Sequence, residues 1–269
     1  MVRDITLGQY LPGKSVIHRL DARAKILMLL AMIVFIFVAG NFVSLSLMTL
    51  VSLLVVLLTR IPLTMYLKSM KVILLVVIFT GIINLFYGTG DVLWEWGIIR
   101  ITQGGIHNAV FVTIRIITLV LISSVLTFTT SPSDLTDAIE QLLKPLTIFH
   151  IKVHEIAMMM TIALRFIPVL LEETDKIMNA QKARGADMES GGLFRRVKTL
   201  LPVLIPLFVS SFRRANDLAM AMECRCYNGG NGRTRMKVLH YAWRDLIAAL
   251  LLLAVFAAVI LCNIVGVWS

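Results

Sequence analysis

Residues Ile26–Thr59 read ILMLLAMIVFIFVAGNFVSLSLMTLVSLLVVLLT, thirty-four residues without one charge. As a single helix this run would be about 50 Å long, well beyond the ~30 Å hydrocarbon core of a bilayer. Gly40-Asn41 lies near its middle and offers a break. The run therefore predicts two short spans in a tight hairpin. Arg19, Arg23 and Lys25 precede it, and Arg60, Lys68 and Lys71 follow it. Lys and Arg concentrate on the cytoplasmic side of spans, so both ends of the hairpin are expected inside.

The rest of the chain extends this pattern. Val72–Tyr87 reads as a third span. The loop after it, GTGDVLWEWGIIRITQGG, carries Asp91, Glu95 and one Arg, with Trp94 and Trp96 as interface anchors, and is expected outside. Ala109–Thr130 is the fourth span, with Arg115 near its outer end, where snorkelling to the interface is the expected behaviour. Leu246–Val267, bracketed by Trp243 and Trp268, is the last. The fold class expected is all-α, a polytopic membrane protein with about five transmembrane helices and its N-terminus cytoplasmic. Composition agrees: 58% of the residues are hydrophobic and mean hydropathy is +0.86. The excess of Lys and Arg, 26 against 16 Asp and Glu, is accounted for by basic flanks of spans without nucleic acid as a partner. No cleaved signal peptide is indicated, and Cys224, Cys226 and Cys262 make no disulfide framework.

Four regions follow: a basic leader (1–25), spans one to four (26–130), a cytoplasmic or interfacial block (131–242) and a C-terminal span (243–269). The block from Ser131 to Ala242 holds 15 Lys and Arg. It opens with a short helix predicted over Asp134–Leu143, with Ser133 as N-cap and Pro145 as terminator. Two long helices are predicted next, Val153–Arg184 and Leu193–Arg225. Both are apolar in the middle and charged at the ends. Arg165 and Pro168 interrupt the first, and Pro202 and Pro206 the second. The turn between them is flanked by Lys182, Arg184, Arg195, Arg196 and Lys198. A spanning hairpin would put that cluster outside, so the pair is expected to lie at the cytoplasmic interface.

Both long helices end alike. Small residues lead to a single Arg where the helix stops, in NAQKARGAD and in LAMAMECRCY. A guanidinium at a helix end can make forked hydrogen bonds to carboxylates or carbonyls in a partner's groove, which Lys does poorly. If the helices are antiparallel or crossed, the two tips lie tens of ångströms apart, as helices of about 30 residues are on the order of 45 Å long.

In these features the chain resembles the transmembrane T subunit family of energy-coupling factor (ECF) transporters. The resemblance rests on the leader GQYLPGKSVIHRLDARAK and on two arginine motifs, Ala183-Arg184-Gly185 and Cys224-Arg225-Cys226. Ala22 stands where the family has Pro, and Cys226 where Gly is more usual. The resemblance implies a non-catalytic subunit of an ABC-type importer in the bacterial plasma membrane, with no cofactor and no metal. Two ABC-type ATPases would bind, one at each motif. A small membrane S component would capture a vitamin or similar micronutrient and dock on the long helices, around Met158, Met159, Leu164, Leu204 and Leu207. Membrane lipid is the remaining partner.

Other patterns carry less. Gly8–Ser15, GQYLPGKS, matches G-x-x-x-x-G-K-[ST], but no strand precedes it and Pro12 removes an N–H from the loop. ATP chemistry is therefore expected in the partners. His150 and His154 are spaced i,i+4 with no acidic motif to complete a metal site. Glu172, Glu173 and Asp175 are candidates to pair with Arg213 and Arg214. A stand-alone secondary transporter or channel is the competing class. It calls for polar groups at membrane depth, and the spans offer few beyond Asn84 and Arg115.

Overall fold

The computed structural model describes residues 10–86, 92–96, 99–186, 193–229 and 239–267. The start of the leader, the turn after Ala186 and Trp268 fall outside them. The chain divides into two compact units. One comprises Gly8–Leu135 with Leu239–Ser269, and the other contains Thr136–Val238.

The first unit is built from α1 (Ala22–Val38), α2 (Phe42–Leu58), α3 (Leu63–Phe86), α4 (Gln103–Thr129) and α8 (Trp243–Val267). A two-stranded antiparallel hairpin, β1 (Val92–Trp96) with β2 (Ile99–Thr102), joins α3 to α4. The charge-free run breaks at the predicted place. Each of its halves is a 17-residue helix, about 25 Å long and short of a full hydrocarbon core. Helices α4, α6 (Val153–Ala183) and α8 are long and apolar enough to cross a membrane. The two limbs of α3, bent by 60°, pass the same test together. Helix α6 thus meets the length and composition of a span, although the sequence assigns it to the interface.

Helix α2 shows how these helices pack. Ser44, Leu45, Met48, Ser52 and Val56 are buried, while Val43, Leu50, Leu54 and Leu57 on the other side are exposed. Lipid is as apolar as Leu, so helices associate through small and hydroxyl-bearing faces and turn large aliphatics outward. Thr49 Oγ1 meets Thr118 Oγ1 of α4 at 3.0 Å, and Thr59 Oγ1 meets Tyr66 Oη at 3.0 Å. Phe35 stacks on Phe256 with centroids 4.0 Å apart, joining α1 to α8.

The break between α1 and α2 frees backbone groups that hydrocarbon cannot satisfy. Asn263 of α8 supplies both halves of a clamp. Its Nδ2 donates to Val38 O (2.9 Å), and its Oδ1 accepts from Gly40 N (3.2 Å). Arg115 of α4 supplies the third bond, donating from Nη2 to Ala39 O at 2.7 Å, with its guanidinium 4.6 Å from the Phe111 ring centre. Arg115 is therefore turned into the break. Asn84 likewise serves its own helix, donating to Thr80 O at 2.9 Å.

The leader is folded onto the helix ends. Leu11 N donates to Phe128 O at 3.0 Å, and buried Lys25 donates from Nζ to Thr129 O at 2.9 Å. Lys25 thereby caps the carbonyl end of α4, where a cation is favoured. Arg23 forks onto Asp21 (3.1 and 2.8 Å), reaches Leu239 O (3.0 Å) and lies 3.9 Å over the Tyr241 ring. Buried Asp245 accepts from Asp21 N (2.9 Å) and from Ala242 N (2.8 Å), so one carboxylate caps the starts of both α1 and α8.

Lys14-Ser15 opens a turn at residues 15–20, with no helix start to face a phosphate. Ser15 is buried and bonds His18 Nδ1 at 2.6 Å, while His18 Nε2 lies 3.0 Å from Leu11 O. A carbonyl only accepts, which puts the proton on Nε2 and makes Ser15 the donor to Nδ1. Burial, helped by nearby Lys25 and opposed by the Leu11 bond, holds His18 below the usual histidine range. A Cβ on Gly13 would fall 2.7 Å from the His18 ring, so this glycine makes room for the imidazole.

In the second unit a 3-10 turn over Lys144–Phe149 leads from α5 (Pro132–Leu143) into α6, and α7 spans Leu193–Cys224. Ser131, not Ser133, caps α5. Pro132 occupies the first helical position, which leaves Ser131 Oγ to accept from Asp134 N at 3.1 Å.

Candidate functional site

The two arginines occupy the same place in the same capping motif. At the end of α6, Gly185 N donates to Lys182 O and Ala186 N to Gln181 O, both at 3.0 Å. At the end of α7, Cys226 N donates to Glu223 O (2.8 Å) and Tyr227 N to Met222 O (3.0 Å). Each is a complete Schellman motif with the Arg as C-cap and the next residue left-handed. Gly185 has φ +85° and Cys226 φ +54°. Ala183, Arg184 and Gly185 are exposed, as are Cys224, Arg225 and Cys226. Among the described residues neither guanidinium has a hydrogen-bond or ion-pair partner. Both lie where the helix dipole favours a cation, held on stiff ends and aimed at solvent.

Cys226 pays a backbone cost that glycine would avoid, since a left-handed residue with a Cβ costs roughly 1–2 kcal/mol. Cys226→Gly is therefore expected to stabilise the last turn of α7 by about 1 kcal/mol, slowing amide exchange there about fivefold. Unchanged exchange at Cys226 and Tyr227 would show that the turn carries no such strain.

Two contacts set the course of the long helices. Gln181 Nε2 donates to Pro202 O at 3.2 Å, and Arg214 Nη2 bonds Glu173 Oε2 at 2.7 Å. Later residues of α6 thus meet earlier residues of α7, so the helices run in opposite senses. The Gln181 bond has a local cause. Pro206 lacks the N–H that would bond Pro202 O within the helix, and the Gln181 amide takes its place. Arg184 lies within a turn of this contact, whereas Arg225 is about 35 Å further along α7. The Arg214–Glu173 pair realises one of the pairings expected from the acidic stretch.

Along α7, Leu200, Leu201, Leu204, Ile205, Phe208, Val209 and Phe212 are all exposed. Their spacing of three to four residues lays them in one stripe along the helix. On α6, Ile156, Met159 and Met160 are exposed. Of the residues singled out from sequence, Met159 and Leu204 are open to a partner, while Met158, Leu164 and Leu207 are half-buried. Ile205, Phe208 and Phe212 were not singled out, although their spacing from Leu201 and Leu204 is legible in the sequence.

The histidine pair does not share a helix face. His150 stands outside α6 with φ +62°, and His154 Nδ1 lies 3.0 Å from Glu140 Oε1. Among the described residues no cluster of three or more His, Cys, Asp or Glu forms a metal site.

Residues 13–238 match the model of the CbiQ family, described as cobalt transport protein. A protein of Ruminiclostridium cellulolyticum named energy-coupling factor transporter transmembrane protein EcfT is 52% identical over 247 residues, 92% of each chain. The protein of that name from Clostridium kluyveri is 48% identical over 266 residues, 98% of each chain. The one from Bacillus subtilis is 43% identical over 257 residues, 94% of this chain and 97% of its own.

Proposed function

The chain belongs to the CbiQ family, among the transmembrane proteins of energy-coupling factor transporters, and from that premise we propose that it is the scaffold through which ATP hydrolysis drives micronutrient uptake. Two ABC-type ATPase subunits dock at Arg184 and Arg225, and a membrane S component that selects a vitamin-class cargo docks on the apolar stripe of α6 and α7. ATP-driven closure of the ATPase pair moves the two tips, and the antiparallel helices pass that motion to the S component. The chain itself is non-catalytic, and it sits in the bacterial cell membrane with its N-terminus inside.

One observation carries this reading: two caps of the same motif present exposed guanidinium groups, unpartnered among the described residues, tens of ångströms apart on helices that brace each other. A single recognition surface would need one such tip. Two equivalent tips suit two equivalent grooves. The exposed stripe between them is adaptable in kind, since Met and large aliphatics repack against different surfaces.

The direct check is purification of the tagged chain from its native membrane in mild detergent. Two ATPase polypeptides and at least one small membrane protein are expected in the complex. Recovery of the chain alone, together with cargo uptake by the purified chain in ATP-free vesicles, would mark it instead as a self-sufficient transporter.

A further inference from the structure

The turn between α5 and α6 reads KPLTIFHIK over residues 144–152. Every residue in it is exposed. Ile148 is 78% exposed and Phe149 77%, and Leu146 and Ile151 are exposed beside them. Four large apolar side chains thus stand on a tip of nine residues, with a lysine at each end.

The tip is also built to leave water. Thr147 Oγ1 donates to Lys144 O at 2.7 Å, His150 N to Thr147 O at 3.0 Å, and Val153 N to Ile151 O at 2.9 Å. The left-handed turn at His150 reverses the chain, so the backbone closes on itself in a compact knob. A knob whose polar backbone is paired internally can enter an apolar medium at lower cost than an open loop. Lys144 and Lys152 bound the apolar run, and the Lys152 side chain remains 75% exposed even with Glu155 3.2 Å away. Apolar residues flanked by two lysines match the cross-section of an anionic leaflet: acyl chains below, charged headgroups above. A protein groove would need neither the flanking cations nor a convex apolar tip.

We propose that residues 144–152 form a lipid anchor, with Leu146, Ile148, Phe149 and Ile151 seated at the boundary of headgroups and acyl chains, and Lys144 and Lys152 on net-anionic headgroups. The anchor fixes the start of α6 at the bilayer surface, so motion applied at Arg184 pivots the helix about a point held by lipid. This role rests on the proposed function; the anchor itself does not.

The test uses the full chain alone, with Phe149→Cys in a background of Cys224→Ser, Cys226→Ser and Cys262→Ser. The new thiol carries an environment-sensitive fluorophore, and the protein is reconstituted in phosphatidylcholine vesicles with a quarter phosphatidylglycerol. Shallow nitroxide-labelled lipid is expected to quench the label roughly threefold more than aqueous iodide does, as for a group at the headgroup boundary. A label at Ile148→Cys should behave alike, which excludes an artefact of one position. Adding Lys144→Glu and Lys152→Glu should weaken lipid quenching in the anionic vesicles and leave it unchanged in pure phosphatidylcholine. Free access of iodide without lipid quenching overturns the anchor, as does shielding from both quenchers. Shielding that appears only after other subunits are added makes the tip a protein interface and also overturns it. Equal effects of the lysine changes in both vesicle types overturn the contact with net-anionic headgroups. None of these readouts depends on ATPase binding, so the anchor and the proposed function can fail separately.

Discussion

Replacing Arg184 and Arg225 together by glutamate is expected to reduce ATP-driven cargo uptake at least 100-fold while the protein still inserts in the membrane. Arg anchors in well-packed pockets commonly cost about 2 kcal/mol or more when truncated, roughly a 30-fold loss of affinity each. Reversal of charge adds repulsion from any carboxylate that received the guanidinium. Both residues are exposed C-caps whose guanidinium groups make no hydrogen bond or ion pair among the described residues, so the change should cost the fold only the helix-dipole term, about 0.3–1 kcal/mol at each end. That separates a lost docking contact from a lost fold. The single variants grade the argument. Arg184→Lys and Arg225→Lys keep the charge and lose the fork, and should retain part of the ATPase binding. Normal recovery of both ATPases with the double glutamate variant would remove the arginines from the docking site and leave the two caps as ordinary helix ends.

The second large effect falls on the first unit. Asp245→Ala leaves Asp21 N without its acceptor in a buried place, and also removes the part-buried bond that caps exposed Ala242 N. The buried donor costs about 1–3 kcal/mol and the part-buried one less, so a total on the order of 2–3 kcal/mol is expected. The damage should spread, because Asp21 also holds Arg23, and Arg23 holds Leu239 and Tyr241. Heating the detergent-solubilised variant and following the folded fraction by size-exclusion chromatography should show an earlier loss than in the parent protein. Asp245→Asn keeps one carbonyl acceptor and should fall between the two. If the alanine variant melts with the parent, the shared carboxylate is not what holds the helix starts together.

Local composition made much of this architecture legible. The break in the charge-free run, the two long helices and their ends were readable from hydropathy, proline and cap signals. Helix α6 ends at Ala183 and α7 at Cys224, each one residue short of the predicted limit. What escaped was non-local or fine-grained. The charges and tryptophans around Trp94 point to a loop, where a short antiparallel hairpin forms instead. Snorkelling described Arg115 by its position in a span, but its partner, the Ala39 carbonyl, exists only because another helix breaks beside it. Asn263 and Asp245 hold positions far along the chain, and no window of residues contains both ends of their bonds. At the candidate site the arginines were visible because each is a local event at a helix end. On α7 apolarity alone points to Leu204 and Leu207, but which apolar residues stay exposed depends on how the helix packs, and Leu207 is half-buried.

The bond from Asp21 to Asp245 joins residues 224 positions apart. A ribosome delivers the first of these long before the second. Throughout elongation the leader has no carboxylate to hold, and the opening helix lacks the acceptor that finishes its start. Only release of the last helix into the bilayer closes the molecule. A chain cut short before Trp243 would carry α6 and α7 entire and still stay unlatched at its front end.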